Sequence, residues 1–253
     1  CDKKTFLDKL PKMKNIKAIF HQGACSATTE RDGVYMMENN FEYSKKLFEY
    51  CQKANIPFIY ASSASVYGNG DDGFVEEPLA EYPLNVYAFS KWQFDRWLRS
   101  KLSKSSGVPM SYNSQVVGLR YFNVYGPQEN HKERMASVVW QFHKQISENK
   151  ELKLFEGSET FLRDFIHVKD VVNVNLFFYE NPEKSGIFNV GTGDARSFFD
   201  IAKIVKTLHS GSEINTIPFP KDLEGKYQAY TCADLANLRA AGYGCDFTSL
   251  EKG

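Results

Sequence analysis

Short apolar runs alternate with longer amphipathic stretches along this chain. The strand-like runs are 18–20, 57–61, 115–119, 165–168, 187–190 and 214–217, and the helix-patterned stretches are 34–53, 86–102, 135–149, 171–180 and 198–208. Strands that alternate with helices imply βαβ units around a parallel sheet, so the pattern predicts an α/β fold. Ser197 followed three residues later by Asp200 predicts a capped start for the last helix. The Gly-, Pro- and Asp-rich breaks at 69–73, 104–109 and 218–225 read as loops, and none is long enough to be an interdomain linker. The run Phe58-Ile-Tyr-Ala-Ser-Ser63 is apolar and β-rich and ends in hydroxyls. It predicts a buried parallel strand whose C-terminal end opens into a site.

Composition narrows the function classes. The chain has 253 residues, 42% hydrophobic and 25% charged, enough for one large core or two interleaved lobes. Lys+Arg and Asp+Glu number 31 each, and that balance argues against broad nucleic-acid binding while leaving a local anionic ligand open. No apolar run approaches the roughly 20 residues that span a bilayer, and no charged-then-apolar signal pattern opens the chain, so the expectation is a cytoplasmic protein without a membrane partner. Cys1, Cys25, Cys51, Cys232 and Cys245 are odd in number and never spaced Cys-x-x-Cys, so they read as free thiols. His21, His143, His167 and His209 show no ligand spacing and read as structural, and no metal site is expected.

Tyr87 and Lys91 stand four apart in a helix-patterned stretch, on one face and about one turn, roughly 6 Å, from each other. An ammonium there favours the phenolate, so a tyrosine with an ordinary pKa of about 10 could trade a proton near neutrality. Ser63 would add a hydroxyl beside Tyr87. On spacing alone, two exposed helix positions are the plainer reading. Residues 22–26, from Gln22 through Gly23, Ala24 and Cys25 to Ser26, form a small-residue turn after a strand, either a tight βα loop or a place where a cofactor approaches the backbone closely. Asn39 and Asn40 sit mid-helix, where asparagine is a mediocre helix former and needs a reason. Arg163 is either half of a salt bridge to Asp164 or a guanidinium for a diphosphate, and Lys132 on its own reads as a solvated loop lysine. Two glycine patterns are discounted as dinucleotide cradles. Gly68-Asn-Gly-Asp-Asp-Gly73 carries two carboxylates and opens no helix, and Gly191-Thr-Gly193 lacks a third glycine.

Ser63, Tyr87 and Lys91, with Arg120-Tyr-Phe-Asn-Val-Tyr-Gly-Pro127, Arg163-Asp-Phe-Ile-His-Val-Lys-Asp170 and Asn189-Val-Gly-Thr-Gly193, resemble the extended short-chain dehydrogenase/reductase family of nucleotide-sugar enzymes. His21-Gln-Gly-Ala-Cys-Ser26, Tyr35-Met-Met-Glu-Asn-Asn40, His131-Lys132, Phe155-Glu-Gly-Ser158 and Tyr227-Gln-Ala-Tyr230 are similar to the branch that inverts C6 of an ADP-heptose, over about residues 18–243. The resemblance implies a Rossmann-type doubly wound parallel sheet with its first βαβ unit missing, so that the chain looks truncated at both ends, and a smaller, interwoven α/β substrate domain. The NADP-binding part would be 1–121 with 164–193, and the substrate part 122–163 with 194–253.

The same resemblance implies Tyr87 and Lys132 as acid/bases, Lys91 as holder of the nicotinamide ribose and tuner of Tyr87, and Ser63 as hydrogen-bond partner of the reacting oxygen. Gln22, Gly23, Ala24, Cys25, Ser26, Asn39, Lys91, Val124 and Lys132 would contact NADP. Asn123, Phe155, Glu156, Gly157, Ser158, Arg163 and Tyr227 would contact an ADP-heptose used for lipopolysaccharide inner-core synthesis. Arg134 and Gln141 fall at substrate positions where family members often carry Ser and His. A homo-oligomer, a pentamer, is also implied. Three other readings stay open. A 4,6-dehydratase needs an Asp-Glu pair after its hydroxyl residue, and Ser63-Ala-Ser-Val-Tyr-Gly68 has no carboxylate. A 4-epimerase has no need of Lys132 or of 155–158. A non-catalytic nucleotide-binding regulator has no need of an intact Ser, Tyr and Lys set.

Overall fold

The structure is a computed structural model that describes residues 3–102, 114–149, 151–209, 213–219 and 228–253. The chain divides into two compact units, Cys1–Val66 with Pro83–Arg120 and Asn175–Phe188, and Tyr67–Tyr82 with Tyr121–Val174 and Asn189–Gly253.

The first unit is built on a four-stranded sheet in the order β1-β2-β3-β7: β1 Ile19–His21, β2 Phe58–Ser63, β3 Val116–Tyr121 and β7 Gly186–Val190. β1 and β2 run parallel with Ile19 opposite Phe58. β2 and β3 are buried almost throughout, which is why they read as unbroken apolar runs. A short N-terminal helix, α1 (Lys3–Lys9), precedes them. The stretch expected as one helix over 34–53 is three segments end to end: α2 (Gly33–Met36), a wide π-helical segment (Met37–Glu42) and α3 (Tyr43–Ala54). Asp32 caps its start by accepting from Tyr35 N, and Asn55 ends it in the left-handed conformation. α4 (Val86–Leu102) follows β2. Leu47, Phe48, Phe58, Tyr60, Phe94 and Leu98 form the core between α3, α4 and the sheet, with Phe94 edge-on to Tyr60 at 4.9 Å.

The second unit holds a three-stranded sheet, β4-β6-β8 (Asn123–Tyr125, Leu162–His167, Ala195–Ser197), and a parallel pair, β5 (Glu151–Phe155) with β9 (Glu213–Ile217). α5 (Val138–Asn149) and α7 (Phe198–Thr207) pack around Phe142, Ile146, Leu152, Leu154, Ile201 and Val205. α6 (Val168–Glu180) follows β6, and α8 (Ala236–Ala240) lies near the end of the chain. Ser197 and Asp200 form the reciprocal capping box that their spacing predicts. Two helix starts move. α5 begins at 138 rather than 135 because 130–135 is a separate 3₁₀ turn with Glu133 at φ 49, and Ser137 Oγ accepts from Trp140 N in the new first turn. α6 begins at Val168 directly after β6, three residues before the predicted start.

Both discounted glycine patterns are loops or turns in which the glycines serve the backbone. Gly68, Gly70 and Gly73 have φ of 60, 79 and 84, and a Cβ on Gly70 would collide with the Phe74 ring. Thr192 N and Gly193 N donate to the Asp164 carboxylate at 2.7 and 2.9 Å, so the amides of that turn are already occupied. Of the predicted loops, 104–109 and 220–225 lie outside the described residues.

Candidate active site

In the first unit, Asn85 Oδ1 accepts from Ala88 N at 2.8 Å and so caps α4, placing Tyr87 in its first turn and Lys91 one turn later. Ser63 ends β2, where its Oγ accepts from Ser65 N and Ser65 Oγ at 3.2 and 2.9 Å, and it is near enough to the hydroxyl of Tyr87, a partly buried residue, to act on it electrostatically. Lys91 is 6% exposed and its Nζ donates to Ala61 O at 2.8 Å. The three residues singled out in the sequence therefore meet at the end of one strand.

Their electrostatics differ from the sequence-based expectation. Burial pushes the Tyr87 phenol above its ordinary value, Ser63 works against that, and Cys25 adds to it. The ammonium does not lower the phenol; Lys91 is turned to Ala61 and is itself pushed down to about 8 by burial, against the pull of Asp95. His21, below Lys91 on β1, is pushed down to about 3 by burial and by Lys91, and its Nε2 lies 2.8 Å from Ser44 Oγ. Because Ser44 Oγ donates to Asn40 O at 2.5 Å, its lone pair faces His21, which fixes a neutral imidazole protonated at Nε2.

The 22–26 turn lines a cavity of about 360 Å³ together with Asn39, Tyr35 and Tyr43. Gln22, Gly23, Ala24 and Cys25 face it, a Cβ built on Gly23 meets nothing within 4 Å, and Ser26 is not part of the lining. Asn39 keeps one amide contact in its own helix, Nδ2 to Tyr35 O at 2.5 Å. Its neighbour Asn40, 1% exposed, explains the mid-helix asparagines better, since it holds the Cys25 backbone and the Ser90 hydroxyl. A dinucleotide fits these residues: open space lies over the Gly23 backbone, and among the described residues Lys91 Nζ has one acceptor, leaving two N–H groups for ribose hydroxyls.

In the second unit, Asn123 (exposed) and Val124 (half-buried) lie on β4, paired with Phe165 and Ile166 of β6. Arg163 on β6 is 6% exposed; it donates to Leu162 O and Gln228 O and stacks 5.7 Å over Phe198. Asp164, next along the strand, points to the other face and accepts from Thr192, Gly193 and Ala233. Lys132 is ion-paired, at 3.4 Å, to Glu129, which is buried and also accepts from Ser137 N and Oγ. Arg134 lies on the same 3₁₀ turn, its side chain outside the described set. Phe155, Glu156, Gly157 and Ser158 make a turn at the end of β5, with Gly157 at φ 79 and Ser158 N donating to Phe155 O. Gln141 sits on α5, where Nε2 donates to Ala136 O and the residue lines a separate cavity of about 580 Å³ with Trp140 and His143. Tyr227 lies outside the described residues. Among the described residues there is no cluster of three or more metal-ligating side chains, and no helix is long and apolar enough to cross a membrane.

A parallel sheet whose strand end offers Ser63 to a Tyr-x-x-x-Lys helix is the frame of a nucleotide-sugar enzyme, and the chain belongs to the NAD dependent epimerase/dehydratase family, whose profile matches residues 1–191. It is 59% identical to the ADP-L-glycero-D-manno-heptose-6-epimerase of Brachyspira hyodysenteriae (strain ATCC 49526 / WA1), covering 100% of this chain and 79% of that one. The crystal structure of the Helicobacter pylori ADP-L-glycero-D-manno-heptose-6-epimerase is similar with a TM-score of 0.84 and 35% identity, over 98% of this chain and 72% of that one. A UDP-N-acetylglucosamine 4-epimerase from Methanobrevibacter ruminantium M1 gives 0.79 and 26%, over 97% and 74%.

Proposed function

We propose that this chain inverts C6 of ADP-D-glycero-D-manno-heptose to give ADP-L-glycero-D-manno-heptose. The observation that carries the reading is Ser63 acting on the Tyr87 phenol with Lys91 buried one turn away, on a chain 59% identical throughout to an enzyme of that name. C6 carries hydrogen and hydroxyl, and its C–H is far too weak an acid for direct deprotonation. A bound nicotinamide dinucleotide supplies the means of oxidising that carbon and reducing it again. Between the two events C6 is a trigonal carbonyl carbon, open to reduction on either face.

The residues manage protons and position. Tyr87 exchanges the proton of the O6 hydroxyl, Ser63 hydrogen-bonds the same oxygen, and Lys91 holds ribose hydroxyls; Lys132 is the second proton handler, serving the other face. Gln22 to Ser26, Asn39, Val124, Lys91 and Lys132 hold the cofactor in this reading, which we take to be NADP. Asn123, Arg134, Gln141, Phe155 to Ser158, Arg163 and Tyr227 hold the nucleotide sugar. The division into a nucleotide-holding part (1–121 with 164–193) and a sugar-holding part (122–163 with 194–253), a cytoplasmic location and a homo-oligomer belong to the same proposal. A 4,6-dehydratase is disfavoured by Ser65, which hydrogen-bonds Ser63 where that chemistry needs a carboxylate.

The test is to incubate the full-length protein with NADP⁺ and ADP-D-glycero-D-manno-heptose and follow C6 configuration by NMR. Conversion to the L-glycero epimer is expected. Release of water instead of epimer, or no change with either NADP⁺ or NAD⁺, would overturn the reading.

A further inference from the structure

Lys91 is held in place by a buried network that none of the site residues above includes. Asp95, one turn further along α4, is fully buried, and its carboxylate accepts four hydrogen bonds. Oδ1 takes the Tyr60 hydroxyl at 2.9 Å, and Oδ2 takes the Ser62 hydroxyl at 2.8 Å and the Arg120 Nε and Nη2 at 3.0 and 2.9 Å. Tyr60 and Ser62 lie on one face of β2 and flank Ala61, whose carbonyl accepts Lys91 Nζ. The carboxylate thus grips the strand on both sides of the lysine's own acceptor. β3 is shaped for the same contact. Gly118 leaves the slot through which Tyr60 reaches Asp95, since a Cβ there would collide with the Tyr60 hydroxyl, and Arg120 follows two residues later on the same face, itself fully buried.

We propose that Asp95 is a positioning residue: it sets the register of α4 on β2 and supplies the negative charge that keeps buried Lys91 an ammonium. Around Lys91 stand Tyr87 one turn before it and Asp95 one turn after it on its own helix, His21 on β1 and the Ala61 carbonyl on β2. Tyr87 and His21 are neutral at pH 7, so Asp95 is the anion among them. Arg120 pairs with that carboxylate at 2.9 Å, so the charge of Asp95 is compensated in the interior. The catalytic consequence rests on the function proposed above, but the positioning does not.

The experiment therefore reads Lys91 directly. Full-length protein labelled with ¹³C at lysine Cε is titrated by NMR without substrate, with Lys91→Arg used to assign the resonance. In the parent protein Lys91 is expected to titrate near pH 8, and in Asp95→Asn about one pH unit lower, a roughly tenfold loss of proton affinity. Should Asp95→Asn fail to fold, the Tyr60→Phe/Ser62→Ala double variant keeps the charge and removes both anchors to β2. Lys91 should then drift from Ala61 and its midpoint should rise toward the ordinary lysine value. A midpoint unchanged in whichever variant folds overturns the proposal. The alkaline limb of the pH–rate profile is recorded on the same variants. A limb that moves with the midpoint supports both readings, whereas a midpoint that moves under a fixed limb leaves Asp95 as the positioning residue and removes Lys91 from the proposed reaction.

Discussion

Asn40 holds the Cys25 backbone at both of its polar groups: its Oδ1 accepts from Cys25 N at 2.8 Å and its Nδ2 donates to Cys25 O at 2.9 Å. The same Nδ2 reaches Ser90 Oγ at 2.9 Å, one residue before Lys91. One buried amide thereby ties the cavity-lining turn to the helix that carries Tyr87 and Lys91. Its position in the π-helical segment, where the backbone is wound wide, accords with the tendency of such segments to occur at functional sites.

Asn40→Asp preserves shape and one acceptor but removes the donors to Cys25 O and Ser90. Leaving such buried partners unsatisfied costs about 1–3 kcal/mol. The expected result is a lower melting temperature and roughly tenfold weaker dinucleotide binding, read by thermal denaturation and by titration of full-length protein. Parent-like affinity would show that the clamp is not what shapes the 22–26 turn for a ligand.

Tyr87→Phe removes one hydroxyl and leaves the ring's packing nearly intact. Turnover should fall by about 10²–10⁴-fold, the usual range for a general acid–base group, with cofactor binding changed far less. Near-normal epimerisation at saturating substrate would mean that Tyr87 is not the proton handler. Because burial raises this phenol while Ser63 opposes the rise, Ser63→Ala should move the tyrosine-dependent limb of the pH profile further to alkaline pH.

His21 gives a stability prediction with a definite sign. Its folded-state value, about 3, lies below the 6.5 of an unfolded histidine. Below pH 6.5 the unfolded chain takes up a proton that the folded one refuses. The contribution is therefore complete above pH 6.5 and is lost, at about 1.4 kcal/mol per pH unit, as pH falls toward 3. Urea unfolding at pH 7 and pH 5 should show the loss, and His21→Gln, which can still donate to Ser44, should flatten it. An identical acid slope in the variant would assign the loss to other groups.

The strands and helices legible in the sequence were those with strong periodicity or unbroken apolar runs, such as β2, β3 and α4, together with the Ser197 cap. β4 and β8, at three residues each, are too short to carry a period, and β5 was hidden because Glu151-Leu-Lys-Leu-Phe155 alternates beside a helix end. The closeness of Ser63, Tyr87 and Lys91 follows from a hydroxyl-ended strand and helical spacing, but that spacing alone reads more plainly as two exposed positions, and it was the family resemblance that singled the three out as a site. The sign of the Lys91 effect on Tyr87 was not legible, since it depends on where Nζ points, and that is decided by Ala61 O thirty residues away. Asp95 did carry a signal, an acid four residues after Lys91 on a buried face, but its meaning needs Tyr60, Ser62 and Arg120 brought from two strands.

Lys132 separates a two-base mechanism from one in which Tyr87 serves both half-reactions. It is not the freely solvated loop lysine that its polar neighbours suggest. Burial works to raise the Glu129 carboxyl, yet hydrogen bonds from Ser137 and Gly126 and the Lys132 ammonium hold it below the usual carboxylate range, so an ionised anchor tethers Lys132 at 3.4 Å. The lysine side chain remains 43% exposed. Lys132→Met retains much of the apolar stem and deletes the charge. Binding should weaken modestly while proton transfer on one face fails, so epimerisation should drop at least about tenfold, equivalent to about 1.4 kcal/mol of transition-state stabilisation. With an aldehyde analogue that can be both oxidised and reduced, the Tyr87→Phe and Lys132→Met variants should each be strongly impaired, and each should affect the two C6 epimers unequally. Glu129→Gln, which loosens the tether but spares the ammonium, should cost less than Lys132→Met. Equal and mild effects of Lys132→Met on both epimers would reduce Lys132 to an electrostatic contact and leave Tyr87 as the sole acid/base.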